Sequence, residues 1–242
     1  MELIKNHLPE IRFLYDLKDV LYDQNWLKTA PNLKVYYMYR DLAANAKEHQ
    51  QIKDYGLRYD ITIIDGHLLG SEFPKTLGHD HGRVPETNLT YPEIYEVLEG
   101  QAYHLIQKQK QGLVEDVFIV KAKKGDKVII PPNYGHVTIN ASSQELKAAN
   151  WTFRNFQSDY SVLKEKHGAC YYALSDKENS INWLKNDNYQ SVPPLKIFQA
   201  TDFVNLLLKL AIDPSKEMYR LVDDLEKLDF LKSPQKYDWS LS

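Results

Sequence analysis

Three histidines and one glutamate are spaced so that they could bind a metal ion. His79 and His81 lie in the run GHDH, and residues i and i+2 of a β-strand point to the same face. Glu93 opens the run EIYEVLEG, and His136 follows the turn PPNYG. Three imidazoles and one carboxylate suit a divalent Fe, Mn, Ni, Co or Zn ion, with coordination positions left open for a substrate.

A histidine pair alone is weak evidence for a metal, because most histidines in proteins are surface or hydrogen-bonded residues. The other five histidines of this chain lack a partner pattern and are interpreted in that ordinary way. They are His7, His49, His67, His104 and His167. A metal site therefore depends on whether the chain brings the two motifs together.

The elements that must position these residues are β-strands. Between Tyr59 and Tyr172 the chain contains short runs rich in Val, Ile, Thr and Tyr, separated by turn residues. The clearest are YDITIID, YEVLEGQAYHLIQ, EDVFIVKAKKGDKVIIPP and HVTINAS. Strands at this spacing predict a β-sandwich or a small barrel, and a fold of alternating strands and helices is disfavoured.

Both ends of the chain have helical patterns. The N-terminal run LPEIRFLYDLKDVLYD has apolar residues at three- and four-residue steps, which predicts a partly helical segment. FQATDFVNLLLKLAI and SKEMYRLVDDLEKLDFL predict two amphipathic helices near the C-terminus. We therefore predict a helical and strand extension over 1–49 that packs on the barrel, a barrel over 50–175, and a C-terminal helical extension over 176–242.

Composition excludes several classes of protein. The net charge of −3 and the lack of a long Lys/Arg block argue against nucleic-acid binding. Cys170 is the only cysteine, so an intrachain disulfide is impossible and a reducing compartment is favoured. Apolar runs are too short to span a membrane, and the charged N-terminus does not resemble a signal peptide. The expected location is the cytoplasm.

Taken together, the two motifs resemble those of the cupin superfamily. His79, His81, Glu93 and Gly100 fit the first motif, with a lengthened hairpin before Glu93. The second motif is matched by Gly125, Pro131, His136 and Asn140, with Asn133 at a position usually held by Gly. Glu86 is a rival ligand at another spacing common in cupins. We prefer Glu93, since only Glu93 has a glycine at the right distance.

More specifically, the chain resembles the cupin-type glucose-6-phosphate isomerases of archaea and some bacteria. The similar stretches are GSEFPKTLGHDH, EIYEVLEGQAYHLIQ and IIPPNYGHVTIN, and the resemblance covers about residues 35–160. It implies a mainly β fold, the cupin double-stranded β-helix or jelly-roll barrel, with flanking N- and C-terminal helices. It also implies one divalent ion, with Fe(II) as the first choice and Mn, Ni, Co or Zn as alternatives.

The resemblance also implies roles for individual residues. The metal ligands would be His79, His81, Glu93 and His136, and Glu93 would also be the catalytic carboxylate. Thr62, Thr76 and Gly78 would hold the phosphate of the sugar, and Tyr36, Tyr95 and Tyr160 would line the pocket. Two positions depart from the family: Ser158 stands where a histidine is usual, and Thr152 stands where a tyrosine is usual.

The implied reaction is the interconversion of glucose 6-phosphate and fructose 6-phosphate, a step of glycolysis and gluconeogenesis, through a metal-stabilised enediolate. The resemblance implies a homodimer as well. Two alternatives remain at this point. An Fe(II) cupin dioxygenase would use the same ligands, and a sugar-phosphate-sensing cupin without catalytic activity would account for the altered segment FQSDY.

Overall fold

The fold is built on a six-stranded and a four-stranded β-sheet, as seen in a computed structural model that describes residues 3–110, 113–176 and 180–240. The larger sheet consists, in spatial order, of β1 (Glu10–Phe13), β2 (Lys34–Tyr39), β3 (Leu57–Ile64), β10 (Leu146–Phe153), β5 (Glu93–Glu99) and β8 (Lys127–Ile130). The smaller sheet consists of β14 (Lys196–Gln199), β7 (Leu113–Lys123), β6 (Gln101–Lys110) and β9 (Gly135–Ile139). This mainly β, jelly-roll architecture confirms the predicted fold class.

Two short ribbons and several short helices complete the fold. The ribbons pair β4 (Asp80–His81) with β11 (Ser158–Asp159) and β12 (Tyr171–Ser175) with β13 (Ile181–Lys185). The α-helices are α1 (Gln24–Leu27), α2 (Ala46–Asp54), α3 (Ser161–Glu165) and α4 (Val204–Lys209). The 3₁₀ helices are Leu14–Val20, Ala200–Phe203, Met218–Asp223, Leu225–Leu231 and Pro234–Lys236.

Successive side chains of the larger sheet point to opposite faces, and each face packs into a separate hydrophobic core. On β3, Ile64 belongs to the core between the two sheets, whereas Tyr59, Ile61 and Ile63 belong to a second core on the outer face. The outer core also contains C-terminal residues such as Phe230, which is fully buried. The C-terminal segment thus covers the outside of the sheet, and the inner face is left to form the cavity.

The terminal segments differ from the sequence predictions in their local structure. In the N-terminal run that was predicted to be partly helical, Leu14–Val20 is a 3₁₀ helix, whereas Glu10–Phe13 is the strand β1, which pairs with β2. Asp16 accepts a hydrogen bond from the backbone N–H of Phe13 (2.8 Å) at the junction. A pairing partner distant in sequence outweighs the local helical pattern.

The prediction of a second amphipathic C-terminal helix is also wrong. The run is two 3₁₀ helices that meet at Asp224, where φ is −151°. Buried Glu96 accepts a hydrogen bond from Met218 N (2.9 Å), and Trp151 Nε1 donates to Met218 O (3.1 Å). The carbonyl of Met218, which an α-helix starting there would use for its own first hydrogen bond, instead accepts from Trp151.

The division into three segments remains a prediction, and the sheets extend across its borders. β1 and β2 precede residue 50 and extend the larger sheet beyond β3. β14 follows residue 175 and pairs in parallel with β7. The segments before residue 50 and after residue 175 therefore both contribute strands to the sheets.

Candidate active site

The four predicted metal ligands meet inside the barrel. One potential donor atom from each of His79, His81, Glu93 and His136 lies within 4.8 Å of all the others. Glu93 Oε2 is 3.3 Å from His81 Nε2 and 3.5 Å from His136 Nε2. Metal–ligand bonds of about 2.1 Å meeting at 90–110° separate their donor atoms by about 3.0–3.4 Å, so these distances suit a shared ion.

Neighbouring groups orient the side chains of His81 and Glu93, and backbone pairing brings His79 and His136 together. The backbones of His79 and His136 exchange two hydrogen bonds (3.2 and 3.1 Å), which bring the two motifs side by side. His81 Nδ1 donates to the carbonyl of Tyr91 (2.6 Å), so the lone pair of Nε2 faces Glu93. Asn150 Nδ2 donates to Glu93 Oε1 (2.6 Å) and leaves Oε2 directed at the histidines. Such outer contacts are typical of metal centres.

The inward-facing atoms fit a metal better than they fit a purely hydrogen-bonded core. No described residue forms a hydrogen bond with His79 Nε2, His81 Nε2 or Glu93 Oε2, although all three atoms are buried. Buried polar atoms without a partner are rare in proteins. Burial lowers the pKa of His79 and His136 well below the usual value, so both imidazoles are neutral and can offer a lone pair.

The residues predicted to contact substrate line one cavity together with the ligands. It is bordered by Tyr36, Thr62, Thr76, Gly78, Tyr95 and Tyr160, and His79, Glu93 and His136 also face it. Thr76 Oγ1 accepts a hydrogen bond from Thr138 N (3.1 Å), which leaves its own O–H free to donate. Burial raises the pKa of Tyr36 to about 12, so its phenol stays protonated at neutral pH.

The position of Gly78 has no room for a side chain. Its φ is +76°, and an added Cβ would lie 2.4 Å from Val137 Cγ2 and 2.7 Å from Leu163 Cδ2. The backbone of Gly78 therefore approaches the neighbouring strand closely and reaches the cavity wall. This position directly precedes His79.

Glu86 lies away from the ligand cluster. It is exposed, at a turn with φ +61°, in the lengthened hairpin between His81 and Glu93. Among the described residues, it is Glu93 that joins the three histidines.

Five cavity residues were missed by the sequence reasoning: Met38, Arg40, Arg58, Asn150 and Phe156. Alternation could have found three of them. Tyr36, Met38 and Arg40 share one face of β2 and its end, and Arg58 is on the same face of β3 as Thr62. Asn150 carried no signal, because β10 was not recognised as a separate strand.

The two departures from the family pattern also fall at the site. Ser158 borders the cavity. Thr152 is fully buried, lies directly opposite Glu93 on the neighbouring strand, and its Oγ1 forms no hydrogen bond with a described residue.

Comparison with known proteins connects this geometry to a family. The glucose-6-phosphate isomerase (GPI) profile matches residues 11–191, well over half of the 242-residue chain. The chain belongs to the glucose-6-phosphate isomerase family. Membership in this family makes the chain an enzyme of the aldose–ketose isomerase type.

Individual relatives are more distant. The glucose-6-phosphate isomerase of Thermococcus litoralis is 25% identical over 167 residues, which cover 68% of this chain and 80% of the relative. Among solved structures, the vicilin of Corylus avellana (hazelnut) has a TM-score of 0.37 and 14% identity over 51% of this chain. The procruciferin of Brassica napus has a TM-score of 0.36 and 14% identity, also over 51% of this chain. The chain spans only 32% and 26% of these two proteins, and such TM-scores carry no conclusion about function.

Within residues 3–110, 113–176 and 180–240, no helix is long and apolar enough to cross a bilayer.

Proposed function

We propose that this family member interconverts glucose 6-phosphate and fructose 6-phosphate with one divalent ion held by His79, His81, Glu93 and His136. The observation that carries the proposal is the convergence of four buried donor atoms, three of them without any hydrogen bond to a described residue. Fe(II) is the first choice of metal, and Mn, Ni, Co or Zn would suit the same donors. We further propose a cytoplasmic homodimer.

The reaction moves hydrogen between C1 and C2 of the open-chain sugar. When bound, a divalent ion would supply Lewis-acid polarisation of the sugar oxygens at these carbons, which favours the enediolate. The protein would contribute by binding, orientation and proton transfer.

Glu93 is the proposed proton carrier. Its Oε1 is held by Asn150, and its Oε2 faces the centre of the cluster. A carboxylate placed there can remove the proton from C2 of glucose 6-phosphate and return it to C1. A hydride shift would leave Glu93 as a ligand only. Isomerisation in D₂O distinguishes the two routes, because deuterium enters the sugar carbon only by proton exchange.

The phosphate would be held at the other end of the cavity by neutral donors. The free O–H of Thr76, the hydroxyl of Thr62 and the backbone N–H of Gly78 are the proposed contacts. Hydroxyl and amide donors can bind a dianionic phosphate without a basic patch. Tyr36, Tyr95 and Tyr160 would form the walls around the sugar chain.

The test is a coupled assay with fructose 6-phosphate. Chelated protein should be inactive, and activity should return when the native divalent metal is added back. Activity that is unchanged by complete metal removal would contradict the metal-dependent mechanism. Oxygen uptake with loss of sugar would indicate the dioxygenase, and binding without turnover under any metal would indicate a sensor.

A further inference from the structure

Two arginines face the same cavity as the four candidate metal ligands, and one buried acid holds both. Asp60 is 1% exposed and lies between Arg40 and Arg58. Arg40 Nη1 donates to Asp60 Oδ2 (3.1 Å), and Arg58 Nε donates to both carboxylate oxygens (3.0 and 2.9 Å). Both arginines border the cavity along with His79 and Glu93.

The pairing of strands fixes where these arginines lie. Arg58 on β3 is opposite Thr152 on β10, and Thr152 is opposite Glu93 on β5. Neighbouring strands are about 4.8 Å apart, so Arg58 is two strands, or about 10 Å, from the ligand Glu93 along one row. The residue between them, Thr152, has a short side chain and is itself fully buried.

Positive charge exceeds what the buried acid requires. One guanidinium would balance Asp60, yet two contact it, and the other acidic partner of Arg40 is the half-exposed Glu10 (3.3 Å). No described residue accepts a hydrogen bond from Nη1 or Nη2 of Arg58.

We propose that Arg58, supported by Arg40 and oriented by Asp60, forms a second anion subsite beside the four metal-ligand residues. It binds the C1–C2 end of the ligand when that end carries a carboxylate or a developing oxyanion. The proposal rests on the proposed function, which assigns the phosphate to Thr62, Thr76 and Gly78. The cavity then accepts sugar phosphates that are anionic at both ends, and Arg58 sets this preference.

The experiment compares two probes that share a phosphate and differ only at C1. Gluconate 6-phosphate has a carboxylate there, and glucitol 6-phosphate has a neutral CH₂OH group. Calorimetry measures both affinities on the protein as purified and again after chelation, since a bound ion also attracts carboxylates. Charge-assisted hydrogen bonds predict that wild type binds the carboxylate probe about tenfold to a hundredfold more tightly, including after chelation.

The decisive variant is Arg58→Gln. It should reduce the preference for gluconate 6-phosphate to about threefold or less and leave the affinity for glucitol 6-phosphate unchanged. Arg154→Gln is the matched control, because Arg154 also pairs with an acid, Asp41 (2.9 Å), but does not border the cavity. Arg58→Lys keeps the charge without the planar fork, and it replaces Arg58→Gln in the comparison if the latter does not fold.

The outcomes separate the subsite from the proposed function. Equal binding of both probes by wild type, or an unchanged preference in Arg58→Gln, overturns the anion subsite while the phosphate site stands. Failure of wild type to bind either probe overturns the phosphate site and the subsite together.

Discussion

At the scale of single residues, the choice of the acidic ligand is the first point that can be tested. Glu93→Ala should abolish stoichiometric metal binding, because it removes an oxygen donor whose nearest neighbours are His81 and His136. Glu86→Ala should keep full metal content, since Glu86 is exposed in the hairpin. Metal analysis of the two purified variants measures the difference. The opposite result, with metal lost only in Glu86→Ala, would show that the ligand assignment is wrong.

Thr76 tests the phosphate end of the cavity. Thr76→Ala should weaken the use of sugar phosphate by roughly tenfold to a hundredfold, the expected loss of one hydrogen bond to a charged group. Metal content should stay the same, because Thr76 does not belong to the ligand cluster. kcat/KM for glucose 6-phosphate measures the effect.

The hydroxyl of Thr76 also accepts from Thr138 N, so the control must keep that bond. Thr76→Ser retains the hydroxyl and should retain activity within about threefold. Equal turnover of glucose and glucose 6-phosphate by wild type would refute a phosphate site altogether.

At the scale of elements, a buried ion pair connects the barrel to the C-terminal segment. Lys127 Nζ contacts Glu96 Oε1 (3.1 Å) and the carbonyl of Pro214 (3.2 Å), and Glu96 Oε2 accepts from Met218 N. Both charged side chains are almost fully buried. The pair therefore holds the Pro214–Met218 region against β5 and β8.

Breaking this pair should destabilise the protein strongly. Glu96→Gln leaves the ammonium of Lys127 buried without its carboxylate, which costs about 3–5 kcal/mol of unfolding free energy. Urea denaturation measures the loss. Glu99→Gln on the same strand is the control, because Glu99 is largely exposed in its pair with Lys147 and its removal should leave the denaturation midpoint unchanged. Equal midpoints for Glu96→Gln and wild type would contradict this role of the pair.

At the scale of the whole molecule, no strand of the described residues pairs with the outer edge of β1, the first strand of the larger sheet. Leu8, just before this strand, is 96% exposed, and Tyr15, just after it, is 48% exposed. An unpaired edge flanked by apolar side chains favours pairing with a second copy. We predict a homodimer of 28.2 kDa chains that uses this edge.

Sedimentation equilibrium at micromolar concentration should give twice the chain mass. Leu8→Glu should shift the equilibrium toward the single chain, because it places a charge in the expected apolar contact. Leu208→Glu, at an exposed leucine on α4 (56% exposed), should leave the dimer intact. A single 28.2 kDa species for wild type would exclude the homodimer.

The sequence by itself identified the four candidate ligands. The spacing of His79 and His81, the position of Glu93 and the turn before His136 form a pattern that could bind a metal, and the structure brings the four residues together. Strands were recognisable because their alternation of side chains is a local property with a period of two. Local patterns need no knowledge of the rest of the chain.

Only the tertiary structure decided which distant residues join that centre. Arg40, Arg58 and Asn150 reach the cavity through the pairing of β2, β3, β10 and β5, a register that no short stretch encodes. The same holds for the C-terminal run after Ser215. Its amphipathic pattern is helical, but the run forms 3₁₀ turns packed against the barrel, with Met218 bonded to Glu96 and Trp151. Helix propensities differ by less than about 1 kcal/mol per residue, so a few buried hydrogen bonds and packing against the sheet outweigh them.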